Sequence, residues 1–132
     1  NQAGYVLVVG RVPVTGGSQW QNRNWGGGPA TQRKIRAHWD VFNTLFANCT
    51  LVAAACRANG GHIALEWPRA CSYWSLDVVR NFASSYALEN YDFDGCMYEL
   101  RSAADSTHGR QIKKPWRIAT DRPQFSNLSR RC

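Results

Sequence analysis

The hydrophobic positions of the chain form short continuous runs and one long periodic stripe. Residues 5–9 are a β-branched run, and residues 62–67 are a second run that Pro68 ends. Runs of this kind are typical of strands buried on both faces. Between them, apolar residues recur at alternating spacings of four and three, which predicts one long helix from Pro29 to Gly60. The stripe consists of Ile35, Trp39, Phe42, Phe46, Cys49, Ala53 and Cys56.

The second half of the chain carries shorter signals. Ser75 is suited to cap a short helix whose apolar positions follow it. Strands are predicted over residues 91–93, 97–100 and 116–120, and a last short helix over residues 124–129. The residues between the first strand and the long helix are rich in Gly, Asn and Gln, which predicts a long loop.

The predicted order is therefore strand, long helix, strand, helix, strand, strand. Buried strands that alternate with helices favour an α/β fold, Rossmann-like, with a mostly parallel sheet covered by helices. Neither repeats nor a linker interrupt residues 1–132, so we expect a single domain. In an open parallel sheet, ligands bind at the carboxyl ends of the strands, and the loops there are the first places to look for a site.

The composition indicates a globular protein with a positive net charge. Apolar content of 44% and charged content of 19% are those of a globular protein. Sixteen Lys and Arg against nine Asp and Glu give a net charge of +7. An excess of this size is compatible both with a polyanionic partner such as nucleic acid and with an ordinary solvated surface.

The cysteines favour a reducing, intracellular location. Their number, five, is odd, no pair has the CxxC spacing, and a chain of 132 residues does not need disulfides to fold. Cys71 and Cys96 have no histidine near them in sequence, so we interpret both as buried structural residues rather than nucleophiles. Apolar runs do not approach the roughly 20 residues of a membrane span, and no span is predicted. The sequence does not begin with Met, which is compatible with a domain, a processed product or an incomplete chain.

The sequence lacks the characteristic motifs of several enzyme classes. The chain has no GKS or GKT phosphate loop, no GxSxG elbow and no HExxH helix. The three histidines stand apart without metal-ligand spacing, so no metal site is predicted. The run Gly26-Gly27-Gly28 lacks the GxGxxG spacing of a dinucleotide-binding turn.

Three segments could carry chemistry: the loop 11–21 after the first strand, residues 66–69 after the second, and the basic run 111–117. Glu66 ends a strand ahead of a proline, where its carboxylate could accept hydrogen bonds from a base edge or an amine. The alternative is that it pairs with Arg69 or Arg117. The basic run at residues 111–117 contains Trp116, and cations beside a tryptophan suit phosphate contact and base stacking. A solvated strand edge fits the composition of this run equally well. The candidate nucleic-acid-binding residues are Thr15, Ser18, Trp20, Arg69, Lys113, Lys114, Trp116 and Arg117.

Four blocks of the sequence carry a family resemblance. They are residues 13–22, 61–69, 92–98 and 112–120. Together they resemble a domain of retrotransposon polyproteins from single-celled algae, which in turn is similar to the catalytic half of C5-cytosine DNA methyltransferases. The resemblance covers most of the chain, from about Tyr5 to Cys132.

The resemblance implies roles for particular residues. The segment that begins at Pro13 corresponds to the loop carrying the methyltransferase nucleophile. Glu66 corresponds to the glutamate that holds the cytosine ring at its N3 edge. Residues 114–117 correspond to a later strand whose arginine orients the nucleophile loop. The chain departs from the pattern at Val14, where the family has Cys, and valine cannot add to the ring as a thiolate does.

These considerations lead to three hypotheses. The first is a degenerate, non-catalytic methyltransferase-like domain that binds nucleic acid. The second is a non-catalytic structural or interaction subunit of a larger protein assembly. The third is an active transferase in which an upstream half supplies the pocket for S-adenosylmethionine; this chain alone is expected to bind no cofactor.

Overall fold

The computed structural model describes residues 7–10 and 17–132, with only the backbone described for residues 7–10, 19, 20 and 22. Four strands form one sheet in the order β1-β2-β4-β3. The strands are β1 (Leu7–Gly10), β2 (His62–Pro68), β3 (Glu89–Asp94) and β4 (Pro115–Thr120). The α-helices of the described residues are α1 (Gln19–Asn24), α2 (Pro29–Ala58) and α3 (Asp77–Ser85).

The long helix predicted from the periodic stripe is confirmed as α2. Proline occupies its first turn, where a missing backbone N–H costs nothing. Beyond its end, Gly60 adopts a φ of +73°, a conformation that favours glycine, and the N–H of Gly61 donates to the carbonyl of Cys56. Five members of the predicted stripe are buried, and Trp39 and Cys49 pack partly buried against the core.

The predicted mostly parallel, Rossmann-like sheet covered by helices is wrong. Only β1 and β2 pair in parallel, whereas β4 pairs antiparallel with both β2 and β3, so three of the four strands form an antiparallel set. The cause lies between β3 and β4. A parallel pair needs a crossover that returns the chain to the starting edge, and here short 3-10 turns and a loop bring it straight back.

Both longer helices lie on one face of the sheet. Phe42 and Phe46 of α2 and Phe82 of α3 pack in the same core cluster as Leu65 and Trp67 of β2. The ring centroids of Phe42 and Tyr73 are 3.8 Å apart, and those of Phe46 and Phe82 are 5.4 Å apart. The described part of the chain therefore has a helical layer on one face of the sheet, which we call the core face.

Three local predictions also differ from the structure. Residues 97–100 were expected to be a strand, but Gly95–Tyr98 is a 3-10 helix. Ser75 does not cap α3; its hydroxyl donates to the carbonyl of Ser72, and Leu76 occupies the cap position without a side-chain cap. The predicted loop before α2 contains α1 and the 3-10 turn Trp25–Gly27. In each case short-range hydrogen bonds decided the outcome, and hydropathy alone does not encode them.

The outer face of α2 is apolar. Its large exposed side chains are Val41, Leu45, Leu51 and Val52, and the sequence has no charged residue between Asp40 and Arg57. By length and composition α2 could cross a membrane, which the sequence analysis did not anticipate. One such helix is weak evidence for a span, because core helices of soluble proteins meet the same criteria.

The cysteines differ from expectation in one respect. Cys96 and Cys132 form a disulfide, which the number and spacing of the cysteines did not predict. Cys49, Cys56 and Cys71 form no disulfide with another described residue, and Cys56 and Cys71 are buried. The expected burial of Cys71 and Cys96 is confirmed, with both side chains below one tenth exposed.

Candidate functional site

The strand directions bring strand ends that are far apart in the sequence to one edge of the sheet. β1, β2 and β3 all run the same way, and β4 runs against them, so the ends of three strands meet the beginning of the fourth. Pro68 pairs with Trp116, and Asp94 pairs with Pro115. We call this edge, marked by Gly10, Pro68, Asp94 and Pro115, the carboxyl rim.

The basic run before β4 lies at this rim. Lys114 places its Nζ 4.4 Å from the centroid of the Trp116 ring, which is a cation–π contact. Lys113 and Lys114 are exposed, and Trp116 is half-buried. The two lysines thus present ammonium groups to solvent beside an aromatic surface.

Arg69 lies at the same rim through a backbone contact, and Gly17, the residue before Ser18, contacts the segment that follows β2. The N–H of Arg69 donates to the carbonyl of Pro115 at 3.0 Å, which joins the end of β2 to the start of β4. The carbonyl of Gly17, next to Ser18, accepts the N–H and the hydroxyl of Ser72, each at 3.0 Å. A Cβ at Gly17 would come within 2.7 Å of the Tyr73 ring, so only glycine allows this close approach.

Arg117 is paired rather than presented to solvent. Its guanidinium makes two hydrogen bonds to the carboxylate of Asp92, at 2.7 and 2.9 Å, and lies 5.9 Å from the Trp74 ring centroid. The hydrogen bond from Arg117 lowers the pKa of Asp92 against the effect of burial, and the charges of Arg117, Arg69 and Arg131 act in the same direction. The same partner raises the pKa of Arg117. The hydrogen bonds from Arg117 to Asp92 therefore stabilise the pairing of β3 with β4.

Glu66 lies on the opposite side of the sheet from the helices, which we call the second face. It pairs in register with Ile118 of β4, and Ile118 pairs with Tyr91 of β3. Among the residues that the structure describes, Glu66 forms no ion pair, and Arg117 is held by Asp92 instead. The proposed pairing of Glu66 with Arg117 or Arg69 is therefore wrong within this part of the chain.

Two aromatic residues of the second face were missed by the sequence analysis. Tyr91 and Phe93 alternate along β3, and Phe93 pairs with Trp116 across the strands. All three rings are half-buried. The signal that could have found them is the period of two in Tyr91-Asp92-Phe93-Asp94, which places the aromatic residues on one face and the carboxylates on the other.

For the remaining predicted residues the structure describes no side-chain contacts. Thr15 and Val14, the residue compared with a nucleophile in the sequence analysis, lie outside the described residues. Trp20 lies in α1, where only its backbone is described.

The free thiols are poorly suited to nucleophilic chemistry. Burial raises the pKa of Cys71, and a backbone hydrogen bond involving Tyr73 opposes that rise only in part. Burial also raises the pKa of Cys49. A thiol whose pKa is raised carries less thiolate at neutral pH, and the thiolate is the reactive form.

One group of side chains has the donor atoms of a metal site. Asp94, Cys96 and Cys132 each direct a ligand atom to a common region beside the carboxyl rim. The histidines are not part of this group.

Comparisons with models of known families, with curated proteins and with solved structures find no match to this chain.

Proposed function

We propose that this chain binds single-stranded nucleic acid through the carboxyl rim and catalyses no reaction by itself. The observation that carries the proposal is the arrangement of Lys114 over Trp116, with Arg69 tied to the neighbouring Pro115. Cations beside an aromatic ring are what a nucleic-acid strand requires, because its phosphates attract the cations and its bases stack on the ring.

The second face of the sheet extends this binding surface. Tyr91, Phe93 and Trp116 lie on neighbouring positions of β3 and β4, and Glu66 lies beyond them on β2. Unpaired bases stack on aromatic side chains of open sheets, and a carboxylate accepts hydrogen bonds from the amino groups of bases. Arg117 contributes indirectly under this proposal, by holding β3 against β4.

The absence of catalysis is proposed on chemical grounds. Valine at position 14 provides no nucleophile for the reaction that the family resemblance implies. Cys71 is buried with a raised pKa, and Cys96 is in a disulfide, so neither supplies a reactive thiolate in this state.

The proposal is tested by titrating the protein into a fluorescent single-stranded oligonucleotide over a series of salt concentrations. Binding should weaken as salt rises. Lys114→Ala should reduce the slope of log K against log salt by about 0.7, the value for one contact to a single strand. Trp116→Leu should weaken binding about 5- to 150-fold without changing that slope, because stacking is worth about 1–3 kcal/mol per base.

Arg80→Ala is the matched control for the charge change. Arg80 is an exposed cation of α3 that pairs only locally with Asp77, and its removal should leave both affinity and slope unchanged. Circular dichroism establishes that each variant retains its fold. If the unaltered protein does not bind at about 50 mM salt, where electrostatic contacts are strongest, the proposal is wrong.

The outer face of α2 favours the second candidate function, that of an interaction subunit. Leu51 is 70% exposed and Val52 is 52% exposed on a stretch of helix without charges. Large exposed apolar side chains on a helical stretch without charges are a feature of surfaces that contact other proteins. Under this alternative the protein elutes from its native source with a stoichiometric partner protein, and Leu51→Lys abolishes the association.

Val78→Lys is the control for that substitution. Val78 is similarly exposed, at 51%, but lies on α3 and not on the outer face of α2. Elution of the unaltered protein as a free monomer from its native source would exclude the alternative.

A further inference from the structure

The buried end of β3 lies beside two cysteines that are distant in sequence. Asp94 is the last residue of β3, Cys96 follows in the adjoining 3-10 helix, and Cys132 is the last residue of the chain. One ligand atom from each lies within 4.8 Å of the other two. Asp94 is 2% exposed and Cys96 is 5% exposed, whereas Cys132 is exposed, so the cluster opens to solvent on one side.

The segment that carries Cys132 is held in place independently of the two sulfur atoms. The N–H of Asp94 donates to the carbonyl of Arg130 at 2.8 Å, and the N–H of Cys132 donates to Oδ2 of Asp94 at 3.0 Å. The hydroxyl of Tyr98 donates to the carbonyl of Leu128 at 2.8 Å. These bonds hold the last residues along the edge of β3 through atoms other than the two sulfur atoms.

We propose that the reduced protein binds a zinc ion through Asp94, Cys96 and Cys132. In the structure the two sulfur atoms form a disulfide, and a dithiol reductant would supply the two electrons and two protons that convert it into two thiols. Zinc binding then releases two protons, one from each thiol, and forms two Zn–S bonds and one Zn–O bond. A water molecule fills the fourth position.

The geometry and donor types suit this ion. Tetrahedral zinc with Zn–S bonds of about 2.3 Å separates two thiolates by roughly 3.8 Å, within the spread of the cluster. Zinc sites in proteins use Cys thiolates and also accept Asp carboxylate oxygens, so two thiolates and one carboxylate are a suitable donor set. Both described contacts of the Asp94 carboxylate go to Oδ2, which leaves Oδ1 as the oxygen for the ion.

Charge balance also favours a divalent cation. Two thiolates and one carboxylate carry three negative charges, and burying them without a cation would be unfavourable. Zinc compensates two of these charges. Lys113, whose Nζ is 3.9 Å from Oδ2 of Asp94, offsets the third. The disulfide and the metal site are therefore alternative states of the same side chains, selected by the redox conditions.

The test is a titration of the full chain with Co²⁺ after reduction, followed by displacement with Zn²⁺. We expect one equivalent of cobalt, a thiolate-to-cobalt charge-transfer absorption band, and loss of that band when zinc is added. The oxidised protein should bind no cobalt at this cluster. Zinc should also raise the unfolding temperature of the reduced protein, because it binds only the folded state.

Cys132→Ser and Asp94→Asn separate the proposal from adventitious binding. Loss of an outer-shell partner typically weakens a metal site about 10- to 100-fold, and loss of a direct ligand should exceed this. Cys132 is exposed, so Cys132→Ser tests the proposal even if Asp94→Asn does not fold. Cys49→Ser removes a free thiol outside the cluster and should leave cobalt binding unchanged. The proposal is overturned if the reduced protein takes up no stoichiometric cobalt, or if Cys49→Ser weakens binding as much as Cys132→Ser.

Discussion

Asp92 and Arg117 illustrate, at the scale of single residues, how pairing limits what a residue is available to do. The sequence alone assigned Arg117 to a basic binding segment. In the structure its guanidinium is held by Asp92, with side chains 26% and 16% exposed, so the pair is partly shielded from water and salt. Lys113 and Lys114, from the same segment, stay exposed. Lys113 also lies near a carboxylate, with its Nζ 3.9 Å from Oδ2 of Asp94, but its side chain stays 62% exposed. The close pairing with Asp92 and the burial that accompanies it distinguish Arg117 from the two lysines.

We expect Asp92→Asn to lower the free energy of unfolding by about 2 kcal/mol at neutral pH, because two hydrogen bonds between charged groups are lost. The pKa of Asp92 is lowered in the folded state from an ordinary value of 3.8. Its contribution to stability is therefore complete above that value and disappears as the pH falls through the lowered pKa. Urea unfolding at several pH values measures this.

The difference between Asp92→Asn and the unaltered protein should accordingly shrink in acid. Asp77→Asn is the control, since Asp77 is 87% exposed in its pair with Arg80 and should change stability by less than about 0.5 kcal/mol. An equal effect of both substitutions would mean that the Asp92–Arg117 pair contributes nothing beyond a surface contact.

At the scale of elements, α2 was the most predictable part of the chain, and the direction of β4 was the least. The stripe of α2 repeats over 30 residues, so a single misleading position cannot change the prediction. The strand β4 has six residues, and its hydropathy is the same whichever way it runs. Its direction follows from the connection after β3, where Gly95, Leu100 and Lys114 close the return by backbone hydrogen bonds.

The two sides of α2 should respond differently to truncation. Phe42 is 1% exposed and stacks on Tyr73, so Phe42→Ala should lower the free energy of unfolding by about 3–5 kcal/mol. Leu51→Ala on the outer face, at 70% exposed, should change it by less than about 0.5 kcal/mol. Denaturant titrations give both values. A large cost at Leu51 would show that the outer face is covered in the isolated protein.

For the molecule as a whole, the disulfide ties the last residue to the end of β3. Cys96 and Cys132 are separated by 36 positions, and closing a loop of this length stabilises a fold by up to about 4 kcal/mol. Cys132→Ser should therefore lower the free energy of unfolding by up to that amount without reductant.

With reductant and a chelator present, Cys132→Ser and the unaltered protein should unfold at the same denaturant concentration. Equal stability of the two under oxidising conditions would show that the disulfide does not contribute. Addition of zinc to the reduced protein should stabilise only the protein that retains Cys132.

The candidate binding surface was predictable in its parts but not in its assembly. Arg69, Lys113, Lys114 and Trp116 could be chosen from the sequence because their residue types suit phosphates and bases. Their convergence was expected from a parallel sheet. These residues do converge, but for another reason. Because β4 runs antiparallel to β2, the beginning of β4 lies at the carboxyl rim, where a parallel strand would have placed its end. The aromatic face of β3 was missed because carboxylates alternate with its rings.

The sequence by itself did not reveal the six-residue helix α1. It determined the two longer helices and most strands, because the period of apolar side chains reflects local backbone geometry. It therefore determined α2, β2 and β4 nearly to the residue. Only the tertiary structure decided strand direction, the partner of Arg117 and the meeting of Asp94, Cys96 and Cys132. These three features depend on contacts between residues far apart in the chain. Such contacts do not produce a periodic pattern in the sequence, so they cannot be predicted from it.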